Sequence, residues 1–510
     1  MHQAAGPGQV SFGAAIARFA GTHPEAVAVT FSSTEGAEEH MSWAELDRRS
    51  TQVARLLAGH GTAQGSLVVI GLPNSPEHLV AAIAAWKVGA CTLPIRWDLP
   101  NWERDRLLAV AQPDIAVAGW KGTRVPTITS GDLAASDELR SDQLPDVVPR
   151  PAIAIPTGGS TGQPKIVIRE TPGIVASMIP ASEGSLWAGR HQIHLVASPL
   201  YHTNGFSLAH MALLQGDRIV LMEKFDAARA VTLIERHRVS VTTMVAAMLS
   251  RIARLPDIGE RDLSSLSSVR AGGAACPAWV VRAWIDLIGQ DRFFMGYGAS
   301  ERIGGTRITG REWLEHPGSV GRPSHAEFLI LDDEGRALGP GQTGNIFSRI
   351  PNSDPWPPFQ YRGAAMPPVT PDGFMSVGDL GWLDGDGYLY VADRRTDMIV
   401  SGGANVYPAE VEAALAEHPS VADVAVIGLS DQEWGRRVHA IVEPLDPASP
   451  PTIEALRNHC KSLLAGYKVP KSLEFVGRLP RTDAGKINHF SLVAAREGGL
   501  SSTRTRPIGR

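Results

Sequence analysis

The sequence predicts an α/β protein: a large N-terminal domain of mixed, mainly parallel sheets flanked by helices, then a small α+β C-terminal domain. Three observations predict it. Helix and strand signals alternate over the first 120 residues, the alternation resumes at Ile153, and the chain changes character near residues 393–403. Alternating signals favour a parallel sheet covered by helices on its faces.

In MSWAELDRRSTQVARLLAGHG, Ser42 suits an N-cap. Leu46, Val53, Leu56 and Leu57 fall at helical spacing, and Gly59 closes the helix. SLVVIGLP is a short apolar run and so a buried strand. EHLVAAIAAWKVGA reads as a helix and CTLPI as a strand, while residues 121–150 read as a polar surface connection. The strands HLVASPL, DRIVLM and VSVTTMV follow, with the helix FDAARAVTLIERHR among them, then the strand-to-loop segments SSVRAGGAA and RFFMGYG. Residues 350–372, rich in proline and aromatics, read as an irregular surface loop. After GYLYVADRR, Pro408 suits the first turn of the helix PAEVEAALAEH. ADVAVIGL and RRVHAIVEP read as strands, PTIEALRNHCKSLL as a helix, and a short strand ends the unit. The expected domains are residues 1–395 and 396–495, with a disordered tail over 496–510.

The 510 residues are 43% hydrophobic and 20% charged, with a net charge of −5. No basic patch calls for nucleic acid. No run is long and apolar enough for a membrane span, since the best stretch is broken by Lys87. The N-terminus lacks a signal-peptide pattern, so a soluble, cytoplasmic protein is expected. Cys91, Cys276 and Cys460 are distant in sequence and form no CxxC pair, which fits reduced, packed thiols.

The segment TGGSTGQPK, residues 157–165, is suited to an anion. Its glycines Gly158, Gly159 and Gly162 free backbone N–H groups to converge. Thr157, Ser160 and Thr161 add hydroxyls, and Lys165 adds a charge worth ~4 kcal/mol opposite a phosphate at ~4 Å and an effective dielectric of ~20. It is neither a Walker A loop nor G-x-G-x-x-G.

TGGSTGQPK resembles the phosphate loop of the adenylate-forming (ANL) superfamily of acyl-CoA synthetases, adenylation domains and luciferases. Further elements resemble the family's in order: GGAA at 272–275, GYGASE at 296–301, VGDLGWLDGDGYL at 377–389, DRRTDMIVSGGANVYPAEVE at 393–412 and LPRTDAGKIN at 479–488. The resemblance spans nearly the whole chain. It implies that a carboxylate reacts with ATP to give acyl-AMP, which a thiol then attacks. The implied cofactors are ATP (or acyl-AMP), Mg²⁺ and coenzyme A.

The resemblance also assigns roles. Lys486 bridges carboxylate and α-phosphate, Glu301 holds Mg²⁺, Ser300 reaches the α-phosphate and His202 gates the acyl pocket. Gly272, Gly273 and Ala274 lie along the nucleotide, and Tyr297 with Gly298 takes the adenine. Asp379 holds the ribose, supported by Arg394. The small domain is mobile about a hinge at Thr396, and Ser401, Gly402 and Gly403 then line a coenzyme A tunnel beside Trp434. Arg436, Arg437, Lys468 and Lys471 are within its reach.

The acyl pocket is expected among His202, Asn204, Gly205, Met244, Met248, Gly272, Ala274, Gly296 and Ala299, small residues and adaptable methionines. No carboxylate is present among them to grip an amino group. A bulky apolar acid is the expected substrate, and the sequence is similar to ligases of polycyclic acids in antibiotic biosynthesis, including diterpenoid acyl-CoA synthetases of the platensimycin type.

Some positions depart from the family pattern. Ile166 stands for glycine, a stiff β-branched residue that predicts a differently closed phosphate loop. Arg302 follows Glu301, where an inward-pointing cation competes with a metal. Thr396, Ala404, Asn488 and His489 also differ. Two alternatives follow: an enzyme confined mainly to thioesterification of a preformed acyl-AMP, served by a partner adenylating enzyme, and a free-standing adenylation domain that loads a carrier protein. A homodimer is also left open.

Overall fold

In a computed structural model of the chain, the described residues are 9–158, 164–178, 191–394, 397–481 and 487–497. Among them four sheets form. A seven-stranded sheet carries Leu67–Gly71, Cys91–Pro94, Ile115–Ala118 and Ile153–Gly158 in parallel pairings. A nine-stranded sheet carries Arg218–Met222, Ile193–Val196, Val241–Met244, Ser268–Ala271 and Phe293–Met295, also parallel. Antiparallel strands finish both edges of the nine-stranded sheet and one edge of the seven-stranded sheet, so each is mixed but mainly parallel, as expected.

Ser42 caps the helix Trp43–Gly59 by accepting from Glu45 N. Gly59 is its last residue; Gly61 takes the positive φ that ends it. The helix Pro76–Lys87 is buried along its whole length, as a helix apolar on every side must be. Its Trp86 packs edge-on against Phe12 and Phe206, and its indole N–H donates to the Ala152 carbonyl at 2.9 Å. Lys87 at its end is buried and donates to Asp47 Oδ1 and Thr51 Oγ1, both at 2.7 Å. No helix among the described residues is long and apolar enough to cross a membrane.

Three expectations are corrected. Residues 121–150 hold the strand Thr127–Ile128 and the capped helix Ser130–Ala135. The 350–372 segment is not all irregular: Phe359–Arg362 is the edge strand of the seven-stranded sheet, paired with Pro164–Arg169. And the antiparallel sheet of Glu327–Leu331, Gly344–Arg349, Asp379–Leu383 and Leu389–Arg394 forms a separate layer that helix–strand alternation did not announce.

The last sheet is built after Ile399 around the long hairpin Val421–Asp431 and Gly435–Pro444. Val424 and Val426 face the helices Pro408–Ala416 and Ile453–Leu463. Ala425, Ile427 and Leu429 face Leu492 of the helix His489–Glu497, which lies where only a short strand and tail were expected. The period-2 alternation of a strand puts a helix on each face.

Ile166 is fully buried. On its strand Ile166 and Ile168 pack with Leu93 and Ala154, while Lys165, Val167 and Arg169 point to the opposite face. Its side chain serves the core, while the loop 159–163, on which its expected effect falls, lies outside the described residues. Ile166→Ala is expected to destabilise the protein by ~3 kcal/mol in denaturant melts.

His489 lies 3.3 Å from Glu412 and 3.7 Å from Asp397. Burial disfavours its charge, but the two carboxylates outweigh burial and raise its pKa from 6.5 to about 10. A raised folded-state pKa contributes stability fully below about pH 6.5, lost as pH rises towards about 10. Thermal melts over that window should fall with pH, and His489→Gln should flatten the slope.

Candidate active site

The strands Ile153–Gly158 and Pro164–Arg169 form an antiparallel hairpin whose last pairs are Thr157 with Lys165 and Gly158 with Pro164. The anion-binding segment is thus the tip of a hairpin. Gly159, Ser160, Thr161 and Gly162 lie outside the described residues. Thr157 Oγ1 is buried without a hydrogen-bond partner among the described residues, an unmet donor beside that tip.

Lys165 does not stand alone. Its ammonium lies 3.3 Å from Glu301 Oε1, 3.0 Å from the Tyr361 hydroxyl and 4.1 Å from the centre of that ring. Tyr361 in turn donates to Glu301 Oε1 at 2.5 Å. Glu301 is 5% exposed. Two residues that the sequence placed on separate anions and cations are brought together as a pair, bridged by a tyrosine that sequence reading missed. The signal available was the short FQYR run within the proline-rich segment.

Glu301 ends a loop that begins after the strand Phe293–Met295. Tyr297 N donates to Thr306 Oγ1 and Thr306 N donates to the Tyr297 carbonyl, each at 3.0 Å, so the loop folds back on the strand Thr306–Thr309. The fold-back explains Gly296, whose Cβ would lie 2.4 Å from the Thr306 carbonyl. Ser300 Oγ lies 3.0 Å from Thr203 Oγ1 in the first turn of the helix Thr203–Gln215. Gly298 is exposed, and Ala299 accepts at its carbonyl from Arg302 N.

Arg302 takes a left-handed φ of +55° and lines a small cavity with Phe12, Arg169 and Pro172. Arg169 donates to the Ser300 carbonyl at 3.3 Å. Burial, with the nearby Arg302 charge, pushes the Arg169 pKa down to about 9. The two arginines therefore support the loop from behind, on the side where Arg169 leaves the hairpin.

The Tyr297 hydroxyl donates to Asp379 Oδ2 at 2.6 Å. Asp379 is buried and pairs across its sheet with Arg394. Gly272 donates to the Met244 carbonyl, and Gly273 takes φ +85°. Beside this turn lies Asn204, whose Nδ2 is buried without a partner among the described residues. Ala274 is exposed next in the loop. His202 is the half-buried N-cap of the helix Thr203–Gln215, its ring 4.5 Å from that of Tyr201.

Three of the expected pocket residues have another reason for their identity. Gly205 is buried, with its Cβ direction 2.3 Å from the Pro199 carbonyl, so helix packing requires it. Met244 and Met248 are 0% and 4% exposed and belong to the core around Trp284, which makes them a floor beneath the loop, not an adaptable open wall.

In the C-terminal domain, Gly402 N donates to the Trp434 carbonyl at 2.9 Å, and the Trp434 ring closes over Gly402. Lys471 sits 3.7 Å above that ring. Ser401 Oγ is buried without a partner among the described residues, while Gly403 is exposed. Lys468 is held by Glu410 at 2.6 Å and Arg437 by Asp431 at 3.4 Å; Arg436 donates to the Gly428 carbonyl. Thr396 and Lys486 lie outside the described residues, as does the side chain of Arg394.

The family described as AMP-binding enzyme matches residues 16–353, and its C-terminal domain matches residues 410–486. A feruloyl-CoA synthase from an Amycolatopsis species is 34% identical, covering 91% of this chain and 94% of that protein. An indoleacetate–CoA ligase from Aromatoleum aromaticum is 32% identical, covering 92% and 95%. The structure of o-succinylbenzoate coenzyme A synthetase from Bacillus subtilis, in complex with ATP and magnesium ion, matches with a TM-score of 0.78 at 27% identity, covering 94% of this chain and 98% of that one. The chain belongs to the AMP-binding enzyme family and is an acid–thiol ligase of its acyl-CoA synthetase type.

Proposed function

We propose that the chain couples a bulky, ring-bearing carboxylic acid to coenzyme A through an acyl-AMP, using ATP and Mg²⁺. The observation that carries this reading is the Lys165–Glu301–Tyr361 cluster at the base of the hairpin tip. An ammonium and a buried carboxylate at 3.3 Å are matched to a magnesium–phosphate pair. A phosphate takes Lys165, and a hard cation takes the hard oxygen ligand Glu301. The unmet Thr157 hydroxyl and the turn at Gly272–Gly273 fit the remaining phosphate and nucleotide surfaces.

In this reading residues 157–162 and Lys165 hold the β- and γ-phosphates, and Ser300, oriented by Thr203, meets the α-phosphate. Tyr297 borders the adenine, with its hydroxyl fixing Asp379 for the ribose; Arg394 stands opposite. Magnesium, when bound, neutralises phosphate charge. Lys486 brings the carboxylate and α-phosphate together, offsetting their repulsion and stabilising charge in the transition state. The domains divide at residues 395 and 396, with Thr396 as hinge. Ser401, Gly402, Gly403 and Trp434 face coenzyme A, while His202 and Asn204 border the acyl group. Relatives named for feruloyl and indoleacetate substrates support a ring-bearing acid, and a polycyclic diterpenoid acid belongs in the same test panel. A cytoplasmic site, where ATP and coenzyme A are at hand, fits this chemistry.

That Ile166 faces the core supports the two-step reading over one confined to thioesterification. The purified protein, given ATP, Mg²⁺ and a panel of aromatic and polycyclic acids, should release pyrophosphate and form a CoA thioester. Thioester formation from supplied acyl-AMP without pyrophosphate release in the full reaction would overturn the adenylation step, and transfer to a holo-carrier but not to coenzyme A would overturn the acceptor. Lys486→Ala should lower adenylation by ~10²–10³-fold while thioester formation from supplied acyl-AMP changes little.

A further inference from the structure

Arg254 caps the helix Ala246–Ala253 in the large domain, and its guanidinium lies over the Trp279 ring at 4.5 Å. Its two terminal nitrogens cross to the C-terminal domain. Nη1 donates to the Ala422 carbonyl at 2.7 Å and Nη2 to the Val421 carbonyl at 2.8 Å. The planar fork of arginine suits both tasks, stacking on an aromatic face and donating to two adjacent acceptors.

The acceptors sit at a particular place. The next residue, Asp423, grips Arg481 through both carboxylate oxygens, and Arg481 also donates to the Val424 carbonyl at 3.3 Å. Arg481 bridges Ile487 across the base of the segment 482–486. Lys486 is the residue before Ile487. Arg254 therefore holds the strand end to which the base of the Lys486 segment is tied. In the same arrangement Gly402 and Gly403 are exposed, so the diglycine edge is not docked on the large domain.

We propose that Arg254 is a positioning residue: it latches the C-terminal domain against the large domain with the diglycine edge turned out to solvent, and so favours acid adenylation over thiol transfer. This rests on the ligase reading above. Thiol transfer requires the diglycine edge to face the acyl group, which requires the Arg254 contacts to break. The latch is two hydrogen bonds to main-chain carbonyls, strong enough to bias the arrangement and weak enough to release.

Arg254→Met keeps an unbranched apolar stem over Trp279 and removes every donor; Arg254→Lys keeps the charge but not the fork. Two measurements decide the matter. Nitroxide labels at Glu260→Cys and Glu417→Cys, with Cys276→Ser, report the interdomain distance by pulsed electron paramagnetic resonance. Arg254→Met should shift population out of the parent peak, with Arg254→Lys in between; an unchanged distribution overturns the latch. In half-reaction assays Arg254→Met should slow ATP–pyrophosphate exchange about tenfold, the loss of bonds from a charged donor, while thioester formation from acyl-AMP and coenzyme A holds or rises. An equal fall in both half-reactions marks a merely structural residue and overturns the proposal. A parent protein that exchanges pyrophosphate with no acid sinks the ligase reading instead, and the distance measurement still decides the latch.

Discussion

Lys165 and the buried Glu301 come together at 3.3 Å, and the contacts of that pair join three segments of chain. A buried charge left without its partner costs ~3–5 kcal/mol. The pair ties the hairpin of Ile153–Gly158 and Pro164–Arg169 to the 296–301 loop, and Tyr361 brings in the edge strand Phe359–Arg362. Behind it, Arg169 holds the Ser300 carbonyl from the same strand as Lys165. Strand alternation makes this possible: Lys165, Val167 and Arg169 share one face, and the intervening isoleucines anchor the other face in the core.

The same division of labour runs through the rest of the site. Rigid parallel strands end at the 272–274 turn and the 296–301 loop, and the candidate polar groups sit on those turns. The helix Thr203–Gln215 contributes its first turn, with His202, Thr203 and Asn204 together. Its close packing through Gly205 sets where that turn lies. Asp379 and Tyr297 join the antiparallel sheet to the 296–301 loop by one hydrogen bond.

The C-terminal domain is held differently. It has its own core on both faces of its long hairpin, and Arg254 bonds its edge through main-chain carbonyl oxygens. Hydrogen bonds of this kind contribute modestly because water replaces them on release. That is the energetic character the proposed Arg254 latch requires.

Much of this was legible in the residues. The alternation of helix and strand gave the mainly parallel sheets, because apolar periodicity is a local property; Ser42 and Pro408 marked helix starts because capping is local too. The six motifs identify the family, and Lys165, Glu301, Tyr297 and Asp379 are readable within them. What only the tertiary structure decided were the pairings between distant segments. Tyr361, hidden in a proline-rich run, reaches Lys165 across strands 196 residues apart in sequence. Arg302 turns towards Arg169, and Ile166 towards the core, because strand register and a single left-handed residue choose the side on which each side chain emerges. Composition determined which groups were available for binding a nucleotide; register and packing decided which of them meet.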